Sequence, residues 1–74
     1  MVKINWDEYK EYKLHTHKQE NFEILIDFMK SYYNINNPAD IFESLQVDGL
    51  AQMMLEKHNI KDDEDLENYM FQRR

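Results

Sequence analysis

Cysteine is absent from this 74-residue chain, and glycine and proline occur once each, as Gly49 and Pro38. Without cysteine there is no disulfide and no thiolate metal site. With so few turn residues, a body built from many short strands is excluded, because each strand reversal needs them. Long apolar runs are missing too; nothing approaches the roughly 20 residues of a membrane-spanning helix. No basic start leads into an apolar stretch, as a secretory signal would, so the expected location is cytoplasmic. Hydroxyl nucleophiles are scarce: apart from tyrosines there are only Thr16, Ser31 and Ser44, none beside a glycine-containing elbow or phosphate loop. A chain this short also struggles to enclose a catalytic pocket of several hundred cubic ångströms. The sequence therefore speaks against an enzyme, and no cofactor is expected.

Basic charge is the other shortage. Nine Lys and Arg stand against fifteen Asp and Glu, for a formal charge of −6. The excess is uneven. Residues 1–18 carry four lysines and three acids; residues 19–60 carry two lysines and seven acids; residues 61–74 carry three basic residues and five acids. Such a surface repels phosphate backbones and attracts basic partners.

What the chain does have is oily rings and thioethers: one Trp, five Tyr, four Phe and five Met. That content argues against intrinsic disorder. Phe, Tyr, Met, Ile, Asn and Lys together fill 34 positions, while Gly, Ala, Arg and Pro fill 6. Those favoured residues have A/T-rich codons, which suggests a low-GC bacterium or one of its phages or plasmids.

Caps and apolar spacing predict four to five short helices. Asn5 can cap a helix from Trp6, with Glu8 three residues on, and Trp6, Tyr9 and Leu14 lie on one broad side. Lys10 and Lys13 share that side, their stems laid along the rings. The alternation Val2, Ile4, Trp6 also suits a short extended lead-in. The polar run from His15 to Gln19 reads as a break. A second helix, Glu20 to Tyr33, carries Phe22, Leu25, Ile26, Met29, Tyr32 and Tyr33 at i, i+3, i+4, i+7 spacing, widened by Ile24 and Phe28. It is the expected centre of the fold, contacted on two sides, with Asn34 as left-handed cap and Ile35 as apolar clasp. Asn37, Pro38 and Asp40 open a third helix whose face is Ile41, Phe42 and Leu45. Asp48 caps a fourth, Gly49 to His58, with a wide arc of Leu50, Ala51, Met53, Met54 and Leu55; Asn59 and Ile60 repeat the cap and clasp. Asp62 caps the last, Asp63 to Gln72, with acids in its first turn and Arg73 and Arg74 after its end, both favourable to the helix dipole. Leu66, Tyr69 and Met70 face inward and Phe71 elsewhere. Residues 1–74 thus read as a single all-α domain, a compact irregular bundle.

Candidate chemistry is thin. On a helix His15 and His17 point about 200° apart; in an extended stretch they could share a metal with Glu11 or Glu20, yet no second motif completes the ligands. Solvated histidines are the simpler reading, and no metal is expected. His58 fits as a half-buried packing residue near a helix C-terminus. The run Asp62 to Asp65 lacks the glycine and the twelfth-position glutamate of a calcium loop, and helix capping explains it. Residues 50–66 can be laid on a helix-turn-helix pattern, but Leu55 stands where glycine is usual and Glu56 where an apolar residue is usual. The would-be recognition helix opens with three acids, so direct nucleic-acid binding is not expected. Lys3, Lys10, Lys13 and Lys18 form a basic patch diluted by Asp7, Glu8 and Glu11.

Most of the aromatic and methionine surplus has a plain role as core. The sharper reading is an interface, since Trp and Tyr dominate binding hot spots. The candidate contact residues are Trp6, Tyr9, Tyr12, Tyr32 and Tyr33 as apolar anchors, with Asp62, Asp63, Glu64, Asp65 and Glu67 as the charged set. The expected function is a small acidic interaction module: a regulator or inhibitor docking on another protein with a basic, nucleic-acid-handling surface. The alternatives are a self-associating subunit, a possible homodimer pairing through its aromatic ridge, and a divergent helix-turn-helix regulator.

Overall fold

Each helix begins where a side-chain oxygen takes over the orphan N–H groups of the first turn, or where an acid stands ready to. The computed structural model describes residues 2–17 and 20–72, and among them are five helices in the order α1 (Trp6–Leu14), α2 (Asn21–Tyr32), α3 (Pro38–Gln46), α4 (Gly49–Lys57) and α5 (Asp63–Gln72). The bundle is all-α, with no strand among the described residues. Asn5 accepts from the N–H groups of Asp7 and Glu8. Asn37 accepts from Ala39, with Pro38 at the first helical position, where its missing N–H costs nothing. Asp48 accepts from Leu50 and Ala51, and Asp62 from Asp65. Glu20 caps α2 by position only, without a side-chain bond to its first turn.

Helix ends follow the expected chemistry as well. Asn34 and Asn59 adopt φ of 60° and 59°, the left-handed conformation that asparagine tolerates better than branched residues. After them, Ile35 packs against the core and Ile60 is buried in it. Lys18, Gln19, Arg73 and Arg74 lie outside the described residues, so the far end of the polar break and the dipole-favouring arginines do too.

The core is built around α2. Phe22, Ile24, Leu25, Ile26, Phe28 and Met29 are all buried, which is most of its circumference. Its C-terminal half takes Tyr9 and Tyr12 of α1 against Phe28. Its N-terminal end takes His58, just past α4, and Tyr69 of α5 against Phe22. Ile41 and Leu45 of α3, Ala51 and Leu55 of α4, and Leu66 of α5 close the interior. Helices of nine to twelve residues are too short for a long up-down bundle, and the molecule measures 28 × 27 × 22 Å. Its radius of gyration, 11.3 Å, matches the ~11 Å of a tightly folded chain of this length.

Three features depart from the expected pattern. Leu14 does not join Trp6 and Tyr9; it is 79% exposed. The face used is Trp6, Tyr9 and Tyr12, and Leu14 lies about 140° around the helix from Tyr9. The wide apolar arc of α4 is only half covered. Ala51 and Leu55 are buried and Met54 partly so, but Leu50 and Met53 are 58% and 65% exposed. Met53 stands about 160° from both Ala51 and Leu55, so no neighbour that covers those two can also cover it. Finally, Ser44 is buried at 1% exposure. Its hydroxyl oxygen accepts from the backbone N–H of Val2 at 3.0 Å, so the buried polar group is satisfied. Residues 2–5 thereby form an extended strap before α1. Ile4 within it is buried, and the N–H of Asn5 donates to the Tyr33 hydroxyl oxygen at 3.0 Å.

Candidate interaction surfaces

The five aromatic candidates gather into one cluster with Phe28 as its hub. Trp6 meets Tyr9 edge-on at 5.3 Å between ring centroids, and Tyr9 meets Phe28 at 5.8 Å. Tyr12, Tyr32 and Tyr33 reach the same phenylalanine at 5.6, 4.6 and 5.5 Å. Tyr12 and Tyr32 also meet each other edge-on at 5.7 Å. Tilted and edge-to-face pairs of this kind are worth about 0.5–1.5 kcal/mol each beyond the area they bury. The surplus of rings on α1, whose own amphipathicity is weak, is explained by this hub, which sits on another helix.

The polar tips of Trp6, Tyr9 and Tyr33 are engaged inside the protein. The Trp6 indole N–H donates to Asp48 Oδ2 at 3.0 Å. The Tyr9 hydroxyl donates to the Asn21 carbonyl oxygen at 3.2 Å, and burial pushes its pKa up. Tyr33 accepts from Asn5. As a set of docking anchors the five are therefore unequal. Tyr9 is buried, so it supports the cluster and offers no free surface. Trp6, Tyr12 and Tyr33 are half-buried against the core, and Tyr32 is about half exposed. Tyr32, with the edge of Tyr12 beside it, is where the cluster reaches solvent.

The acidic candidates belong to α5 and the residue before it. Two are occupied locally: Asp62 Oδ1 accepts from the Asp65 N–H at 2.8 Å, and Asp65 Oδ2 from the Lys61 N–H at 3.0 Å. This pair is a cap, as the sequence suggests. Asp63, Glu64 and Glu67 are exposed. Their spacing puts Asp63 and Glu67 at i, i+4 and Glu64 and Glu67 at i, i+3, on one side of the helix. Like charges so placed repel one another by a few tenths of a kcal/mol, and α5 carries no lysine or arginine to relieve them.

The histidines separate into two kinds. His15 follows α1 as its C-cap and His17 lies in the break after it, both exposed. Among the described residues no group of three or more His, Cys, Asp or Glu is placed to hold a metal ion. His58 is the half-buried packing residue expected from its position. It stacks on Phe22 at 4.9 Å and meets Tyr69 edge-on at 5.5 Å. Its Nε2 lies 2.7 Å from Glu20 Oε1, a partner that sequence reasoning missed. The pair joins the C-terminal end of α4 to the N-terminal end of α2, ends whose dipoles favour a cation and an anion respectively.

One open groove of about 420 Å³ runs between α3 and α4. Phe42, Leu55 and Ile60 contribute its apolar surface, and Gln46, Gln52 and Glu56 its polar surface. Asn59 and Lys61 complete its lining. No known protein family, no curated protein and no solved structure matches this chain.

Proposed function

We propose that the chain is a small acidic helical module that docks on a basic surface of another protein, of the kind that handles nucleic acid. Its place would be that of a regulator or inhibitor encoded by a phage or other mobile element of a low-GC bacterium. The observation that carries this reading is the α5 face of Asp63, Glu64 and Glu67. These carboxylates are exposed and share one side of a helix with no basic residue of its own. They repel one another, so they cost α5 stability except through the dipole, and a basic partner would relieve that repulsion. Around them the whole chain is at −6. Tyr32 and the edge of Tyr12 would add an apolar anchor. The same acids oppose a DNA-reading role for α5, where they would face phosphates.

The test is affinity capture from a low-GC bacterial lysate, with the native chain beside a D63K/E64K/E67K variant, across low and physiological salt. The expected result is a captured protein with a basic surface, released as salt rises and lost with the variant. Steering by charge is screened over a Debye length of about 8 Å at physiological ionic strength. Capture indifferent both to salt and to the variant would refute the proposal.

A further inference from the structure

The strap ahead of α1 is held unequally along its length. Its root, Asn5, is fixed on every side. The Asn5 side-chain oxygen takes the N–H groups of Asp7 and Glu8, its carbonyl oxygen takes the N–H of Tyr9, and its own N–H donates to Tyr33. Trp6, the next residue, is pinned to Asp48. Residues 2–4 are held more lightly. Among the described residues no hydrogen bond joins their main chain to another main-chain group. One bond, from the Val2 N–H to Ser44 Oγ, and the buried side chain of Ile4 keep them in place. Open recesses of about 280 and 380 Å³ adjoin them, and Lys3 and Ile4 line both. Residues 2–4 can therefore lift about Asn5 while α1 keeps its cap and its rings keep their hold on Phe28, a local opening well short of unfolding.

We infer that the slot under residues 2–4 binds an extended segment of another protein, and that the strap is its occupant in cis. The strap itself shows what the slot accepts. Buried Ser44 offers an oxygen to a main-chain N–H. Two residues further along, a β-branched side chain enters the core, where Ile4 now sits. The residue between them is the exposed Lys3, which shares one recess with Asp48 and the other with Asp7. Carboxylates on both flanks select a base at that position. The matching segment therefore reads apolar, basic, β-branched, in the extended conformation that such residues favour. Main-chain bonding supplies part of its affinity and the side-chain slot its specificity, as in other extended-peptide sites. The acids of α5 take no part in it. In the native chain the strap competes, so a segment in trans binds with its intrinsic affinity reduced by the fraction of molecules whose strap is lifted.

The test uses the full chain, native and Ile4→Asp, titrated with the peptide acetyl-Val-Lys-Ile-Asn-amide and followed by amide NMR. A charged side chain cannot stay in the slot, so Ile4→Asp should empty it and bind the peptide with a Kd on the order of 1 mM. Amide shifts should centre on Ser44 and its neighbours in α3. The native chain should bind at least ~10-fold more weakly, and a peptide with Asp in place of Ile should bind neither. Hydrogen exchange of the native chain gives a second reading that needs no variant to fold. The Val2 amide should be on the order of 100-fold less protected than that of Phe28. Equal protection of the two overturns the proposal, because the strap then opens only with the whole molecule. So does a folded Ile4→Asp chain that ignores the peptide, or binds the Asp peptide equally well. A native dimer that Ile4→Asp abolishes overturns it too, since the occupant in trans would then be a second copy.

Discussion

Removing the carboxylate of Asp48 should destabilise the protein well beyond the loss of an ordinary cap. Its two oxygens serve two elements. Oδ1 accepts from the N–H groups of Leu50 and Ala51 at 3.0 and 3.1 Å, and Oδ2 accepts the Trp6 indole N–H at 3.0 Å. Loss of an N-cap costs about 1 kcal/mol, and a hydrogen bond to a charged partner contributes about 1.5–3 kcal/mol. The indole bond is only part-buried, so the low end applies. Asp48→Ala should therefore cost about 2–3 kcal/mol, a large fraction of the ~4–11 kcal/mol expected for a domain of this size. At roughly 4–8 °C per kcal/mol, the melting temperature should fall by about 10–20 °C. Asp48→Asn separates the two roles, because asparagine caps as well as aspartate but lacks the second anionic oxygen. It should lose only the indole part. Urea unfolding measures both, followed by circular dichroism and by the fluorescence of Trp6, the only tryptophan. A double-mutant cycle of Asp48→Asn with Trp6→Phe isolates the coupling. Asp48→Ala within about 0.5 kcal/mol of the native chain would refute the reasoning, and a coupling near zero would remove the indole bond from it.

Further outcomes follow from other sites. Phe28 is fully buried and touches four tyrosines, so Phe28→Ala should cost about 3–5 kcal/mol, a large part of the stability of a domain this size; a melt close to native would contradict the hub. The Tyr9 hydroxyl has a raised pKa because it is buried. Folding thus favours its neutral form, and the stability this gives is complete below the unfolded pKa of about 10 and lost as pH rises through the higher folded value. Alkaline denaturation should therefore be shallower in Tyr9→Phe than in the native chain, and equal slopes would exclude this source. Asn59 holds φ of 59°, so Asn59→Ala should cost about 1 kcal/mol while Asn59→Gly is nearly neutral; the reverse order in thermal melts would rule out backbone conformation as the reason for asparagine.

Local chemistry in this chain is legible without coordinates. Asn5, Asn37, Asp48 and Asp62 announce helix starts, and Asn34 and Asn59 announce ends, because caps act within three or four residues. The central place of α2 is legible too, since an apolar arc that wide demands neighbours on two sides. What is hidden depends on partners far along the chain. The burial of Tyr9 needs Phe28. The burial of Ser44 needs the N–H of Val2, 42 residues away. The pairing of His58 with Glu20 joins two helix ends across 38 positions. The apolar arc of α4 shows that something must cover it, but which half is covered depends on where α3 and α5 come to rest. The same limit applied to the candidate contact residues: the capping role of Asp62 was legible, but not that the hub would draw Tyr9 inside or that the Asp65 carboxylate would take the Lys61 N–H.

The grip on α2 has a consequence for how the molecule opens. At one end Phe22 is held by His58 and Tyr69, and at the other Tyr33 is held by the strap. The helix cannot leave as a whole without breaking both fastenings, so the amide protons at its centre should trade with solvent only when the whole chain unravels. The last turn of α1, beyond Tyr12 and carrying the solvated Leu14, has no such tether among the described residues and should breathe freely while everything around it keeps its shape.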